Sequence, residues 1–184
     1  MTTLPLTELR AALDAGHIAV LLLAVPGDIE AARAATRSAC AAVCQAANSA
    51  TLYTSRSATP GQGAVALWCG GPVGVDVERV RLGIIDDALL GLALHPDERA
   101  AAEEAGAPGF FALWTRKEAV LKALGVGLAL PPAALCLGSA MPVWVGVRFP
   151  GKGKVFVRSL QPVPGFAAAL AAAEPVPVAL WQLS

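Results

Sequence analysis

Two stretches of the chain show clear and different periods. In residues 73–78, Val73, Val75 and Val77 alternate with Gly74, Asp76 and Glu78. A strand of period two sends the valines to one face and the two carboxylates to the other. In residues 110–124 the spacing is helical: Phe110, Trp114, Leu121 and Leu124 make an apolar face. Thr115, Glu118 and Lys122 stand three and four apart and line a second face. Gly125 follows the last apolar residue and predicts a left-handed helix cap.

The remaining pattern predicts alternating helices and strands. A short helix is expected over 7–15, with Thr7 as N-cap and Gly16 ending it. The apolar run 17–25 fits a buried strand, with His17 at its surface edge. Pro26-Gly27-Asp28 marks a turn, and Asp28 is placed to cap an Ala-rich helix over 29–47. Residues 48–54 lead into the segment Thr54-Ser55-Arg56-Ser57, and 58–63, with Pro60, Gly61 and Gly63, read as a flexible loop. Strands over 64–69 and 73–78 predict a hairpin about Gly70-Gly71-Pro72. Residues 79–93 read as helical in their middle, with Asp86 and Asp87 as capping or solvated charges. Pro96, Asp97 and Glu98 suit a helix start, and 105–109 a Gly/Pro break. Residues 129–132 read as an extended exit, and 142–149 and 154–160 as antiparallel strands turning at 150–153. The alanine content of 165–172 favours helix, and 176–183 reads as a last strand or docked tail.

Composition narrows the class. The 184 residues are 55% hydrophobic and 15% charged, which excludes a disordered chain and allows one large domain or two packed subdomains. A formal net charge of zero argues against broad electrostatic binding of nucleic acid. The eight apolar residues 18–25 are too few to span a membrane, and no basic segment precedes an apolar run at the start, so a cytoplasmic protein with reduced cysteines is expected. Cys40, Cys44, Cys69 and Cys136 show no metal-ligand spacing, and Cys40 and Cys44, one helical turn apart, read as buried thiols.

The chemistry concentrates on the two periodic stretches. Asp76 and Glu78 on one strand face repel each other unless a cation lies there. Mg²⁺ suits such oxygen donors, and it is usually held by one or two carboxylates together with substrate phosphates. A helix packed beside the strand would bring Glu118 as a third ligand and Lys122 toward a phosphate. Taken alone, the helix equally fits a solvated i,i+4 ion pair. Arg33 and Arg37, also at i,i+4, read either as solubilising charge or as a phosphate-binding fork.

Gly-Val-Asp-Val-Glu at 74–78, followed some forty residues on by Trp-Thr-Arg-Lys-Glu-Ala-x-x-Lys-Ala-x-Gly-x-Gly-Leu at 114–128, resembles the two signature blocks of the 4′-phosphopantetheinyl transferases. The likeness is to the monomeric, surfactin-synthetase-activating type. It runs clearly over 54–132, continues to 172, and is poor in the first fifty residues. The resemblance implies an α+β fold of two similar α/β subdomains, 1–71 and 72–184, related by a pseudo-twofold with the active site in the cleft between them. It makes 165–172 a core strand, against the alanine content.

The implied reaction moves the 4′-phosphopantetheine arm of coenzyme A to a serine of an acidic, helical acyl or peptidyl carrier protein. It depends on Mg²⁺ and releases adenosine 3′,5′-bisphosphate. By the same resemblance Asp76, Glu78 and Glu118 are the metal ligands and Lys122 acts on the leaving phosphate. Glu98 is the general base, with Glu103, Glu104 and His95 as alternatives. Lys117 contacts phosphate or pairs locally. Ser55 and Arg56 hold the coenzyme, with help from Arg33 or Arg37. Arg56 stands where the family usually has His, and the family's upstream Gly-Lys-Pro is absent. Those departures leave open a family member that binds coenzyme A or a carrier without transfer. The carboxylates alone would also fit a Mg²⁺-dependent phosphate hydrolase.

Overall fold

The computed structural model describes residues 4–47, 49, 51–138, 142–149, 151 and 153–184. In chain order these form α1 (Leu6–Asp14), β1 (Ile18–Val25), α2 (Ile29–Ala47), β2 (Tyr53–Thr59), β3 (Gly61–Trp68), β4 (Val73–Arg79), α3 (Asp87–Ala93), α4 (Pro96–Leu124), β5 (Val145–Phe149), β6 (Gly153–Leu160), β7 (Phe166–Ala172) and β8 (Val178–Leu183). The fold is mixed α+β, with four helices and two four-stranded sheets among the described residues. One sheet has the order β2-β3-β1-β8 and the other β4-β7-β6-β5.

Alternation along the strands sets the layers. Val20 and Leu22 of β1 and Ala64, Ala66 and Trp68 of β3 share one buried cluster with Val73, Val75 and Val77 of β4 and Leu170 of β7, so the sheets pack against each other. The opposite face of the first sheet, with Leu21, Leu23, Val65 and Leu67, is covered by Leu9 and Leu13 of α1 and Val43 of α2. The opposite face of the second, with Val155, Val157, Ala169 and Ala171, is covered by Ala119, Val120 and Ala123 of α4.

Most expected elements form, and the exceptions have physical causes. The segment 64–78 is not a hairpin. β3 already has β1 on one edge and β2 on the other, so β4 finds no free ladder there and pairs antiparallel with β7 instead. Residues 58–63 are not a loop. They belong to β2 and β3, joined at Pro60-Gly61, with Thr59 opposite Gln62 and Gly61 at φ +94°. Thr7 lies inside α1, whose N-cap is Pro5 with no side-chain cap, whereas the Asp28 carboxylate does accept from Ala31 N at 2.9 Å. The Ala-rich 166–172 is strand, since β7 is paired on both edges and buried on both faces. Tertiary pairing overrides alanine's helix propensity there. In the turn between β5 and β6, Pro150 and Lys152 lie outside the described residues, as does Asn48 before β2.

Two features of the fold place the site. The helix α4 bends at Gly106 (φ 63°, ψ −154°), with Pro108 in the following turn, and ends in Gly125 at φ 64°, ψ 22°. The last strand, β8, returns to the first sheet and runs parallel to β1, pairing Ile18 with Val178 through Leu23 with Leu183.

Candidate active site

The strand β4 and the helix α4 touch because residue 74 has no side chain. A Cβ on Gly74 would stand 2.0 Å from the Ala119 carbonyl oxygen and 2.6 Å from Ala123 N. Gly74, Asp76 and Glu78 share a strand face, so the contact that seats the helix also sets the two carboxylates beside it. Lys122, one turn beyond Glu118, reaches across. Its Nζ lies 2.7 Å from Asp76 Oδ1 and donates to Val75 O at 3.0 Å and Arg56 O at 3.4 Å. The ammonium therefore ties α4 to β4 and β2, and its salt bridge is to Asp76.

β4 and β2 are edge strands of their two sheets, and they meet through a row of hydroxyls of which only Ser55 is an expected site residue. Ser55 Oγ accepts from Val75 N at 3.0 Å and Thr59 Oγ1 from Arg79 N at 3.4 Å. Between them Ser57 Oγ donates to Asp76 Oδ1 at 2.7 Å. Ser55 and Thr59 thereby satisfy backbone N–H groups that an edge strand leaves open. The sequence signal for the row is the period of two in Ser55, Ser57 and Thr59, which runs into the segment 58–63.

On the α2 side of β2 lies a cavity of ≈530 Å³ lined by Arg33, Thr36, Arg37 and residues 54–58. It gathers Ser55, Arg56, Arg33 and Arg37, four of the six residues expected at the coenzyme, whereas Lys117 and Lys122 do not line it. Both α2 arginines line it, and Arg33 also pairs with Glu30 at 2.8 Å. Ser57 lines the cavity and bonds Asp76, and Lys122 bonds the Arg56 carbonyl, so cavity and carboxylates adjoin.

The carboxylates hold more negative charge than Lys122 answers. Burial, then the charge of Asp76, pushes the Glu78 carboxyl up to about 7, against the pull of Arg81 and Lys122. Burial and Asp76 raise Glu118 as well. Asp76 Oδ2 and Glu118 Oε1 are buried without a hydrogen-bond partner among the described residues. Asp76 Oδ2 and Glu118 Oε1, buried next to the arginine-lined cavity, are oxygen donors of the kind a hard divalent cation takes, so these residues fit Mg²⁺.

Residues 72–146 match the family model of the 4′-phosphopantetheinyl transferase superfamily. No curated protein matches the chain. The matched segment carries Asp76, Glu78, Glu98, Lys117, Glu118 and Lys122, whereas Arg33, Arg37, Ser55 and Arg56 lie before it. No helix among the described residues is long and apolar enough to cross a membrane.

Within the matched segment, Glu98 and Lys117 stand apart from the Asp76 cluster. They form a buried ion pair of 2.6 Å. Glu98 Oε1 accepts from Leu137 N at 2.6 Å, and Oε2 accepts from His95 N at 3.1 Å. Lys117 Nζ donates to Leu135 O at 2.7 Å and Pro132 O at 3.0 Å. Arg116, also buried, donates to Leu137 O and Gly138 O. The acid expected to act as general base thus has both oxygens engaged in joining the start of α4 to residues 132–137. The lysine expected at a phosphate or in a local pair is in the pair. Of the alternatives, Glu103 and Glu104 are exposed and His95 is the N-cap of α4.

Proposed function

We propose that this protein transfers the 4′-phosphopantetheine arm of coenzyme A to a serine hydroxyl of an acyl or peptidyl carrier protein. The observation that carries the reading is the continuity between the arginine-lined cavity and the Asp76–Glu118–Lys122 cluster. Arg33, Arg37 and Arg56 offer planar donor forks to the phosphates of the nucleotide end. Ser55 and Ser57 sit where the pyrophosphate passes toward α4.

Asp76, Glu78 and Glu118 would hold Mg²⁺, which supplies charge neutralisation on the two phosphates. Lys122 adds a fixed positive charge at the leaving phosphate. The serine oxygen forms a bond to the β-phosphorus, and the bond from that phosphorus to the bridging oxygen breaks. The pair of electrons leaves on adenosine 3′,5′-bisphosphate. Glu118 accepts the serine proton. Its raised proton affinity and free Oε1 suit that role, which Glu98 cannot fill while paired with Lys117. The carrier is an acidic helical protein that reaches the serine into the cleft beside α4, and one chain suffices for the reaction in the cytoplasm.

The test is mass spectrometry of an apo carrier protein incubated with this protein, coenzyme A and Mg²⁺. The expected result is a mass gain equal to one phosphopantetheine arm, lost when a chelator is added. Coenzyme A bound without any gain on several carriers would instead show a binder. Coenzyme A cleaved without a carrier would show a hydrolase.

A further inference from the structure

We propose that His95, Asp97 and Cys136 form a site for one thiophilic divalent cation of the zinc class, distinct from the carboxylate cluster at Asp76. One donor atom from each residue lies within 4.8 Å of the other two, and theirs is the sole such convergence of three among the described residues. Imidazole, carboxylate and thiolate are the donors zinc takes, and three protein ligands leave a fourth position for water. Tetrahedral donors at about 2.0–2.3 Å from the ion sit roughly 3.3–3.8 Å apart. Side-chain rotation alone closes the difference, since Asp97 and Cys136 are exposed and His95 is half-buried.

The site is braced from below. The same Glu98 carboxylate accepts from His95 N and from Leu137 N, and its partner Lys117 donates to Leu135 O. One buried ion pair therefore fixes both backbone segments that carry the ligands, the outer-shell support that metal sites need. His95 Nδ1 accepts from Asp97 N at 3.3 Å and lies 3.5 Å from Asp97 Oδ2. Its lone pair is thus in a long contact that a cation displaces. The positive end of α4 opposes a cation here. Two anionic donors, the Asp97 carboxylate and the Cys136 thiolate, offset that, and the Lys117 ammonium interacts favourably with the thiolate. On binding, the Cys136 thiol gives one proton to solvent and the metal–sulfur bond forms without any change of oxidation state.

The probe is Co²⁺, then Zn²⁺, titrated into the reduced, metal-free full chain with excess Mg²⁺ present to fill oxygen-donor sites. The expected result is one equivalent of Co²⁺ giving thiolate-to-cobalt charge-transfer absorption, displaced by one equivalent of Zn²⁺. Cys136→Ser should abolish the band and weaken Zn²⁺ binding by more than about a hundredfold, and Asp97→Asn by more than about tenfold. Both positions are exposed, so the variants keep the fold. No band in the wild type, or a band that survives Cys136→Ser, overturns the proposal. The latter result would assign the metal to Cys40, Cys44 or Cys69.

Discussion

Glu78 keeps its proton unusually far up the pH scale because it is desolvated next to Asp76, and that couples folding to pH. The folded carboxyl titrates at about 7 against an ordinary 4.5, so the folded state binds more protons across that window. Stability is therefore expected to fall as pH rises from 4.5 through about 7, and Glu118, shifted the same way, adds to the slope. Thermal unfolding followed between about pH 5 and about pH 8 should show the decline. Glu78→Gln should flatten it, and Mg²⁺ should restore stability at the upper end by answering the charge. An unchanged slope in Glu78→Gln would mean that the carboxyl titrates normally. Lys122 is the complementary case. Its ammonium contacts Asp76 at 2.7 Å and two backbone carbonyls at the cavity's edge. Steady-state kinetics of Lys122→Ala should show kcat lowered by about a hundredfold with a much smaller rise in KM for coenzyme A. The reverse split would make Lys122 a binding residue only.

The contact of α4 with β4 rests on one missing methyl group. A Cβ at position 74 meets helix backbone, which cannot swing away as a side-chain tip can. Gly74→Ala should cost roughly 1–3 kcal/mol in denaturant unfolding and displace Glu118 from Asp76, with transfer activity falling further than stability explains. Full activity in a folded Gly74→Ala would show that the helix need not sit so close. This geometry was readable in outline, because the period of two put Gly74, Asp76 and Glu78 together and the helical period put Glu118 beside Lys122. What the local pattern could not carry was competition among partners. Nothing in 64–78 says that β3 already has both edges filled, so the segment looks like a hairpin. Nothing in the alanines of β7 reveals the two neighbours that make it a strand. Glu98 reads as a site residue by its spacing from Asp76 and Lys117 by its motif, while the groups that claim them, apart from the neighbouring His95 N, come from 132–137, beyond the end of α4. Cys136 showed no spacing because its cluster partners, His95 and Asp97, are some forty residues away.

The two sheets share one core, and the last strand belongs to the first of them. β8 lies along β1, and the valines of β4 fill the same cluster as β1 and β3. A cut at the turn between β3 and β4 would leave β1, with its run Ile18–Val25, unpaired on one edge and bare on one face. It would equally leave Val73, Val75, Val77 and Leu170 exposed in the other piece. Apolar faces of that size drive association or unfolding when uncovered. The fragments 1–71 and 72–184 are therefore expected not to fold separately, although the second contains the whole family-matched segment and its carboxylates. Mixed, they should recover the circular-dichroism spectrum and cooperative melting of the intact chain. Restoring the β2–β4 hydroxyl row in the mixture should also restore coenzyme binding, since Ser57 reaches Asp76 only across that junction. A stably folded, monomeric 72–184 that binds coenzyme A with the affinity of the intact chain would mean that the arginines of the first sheet's cavity contribute nothing. The phosphate-binding function would then have to move to the family-matched segment itself.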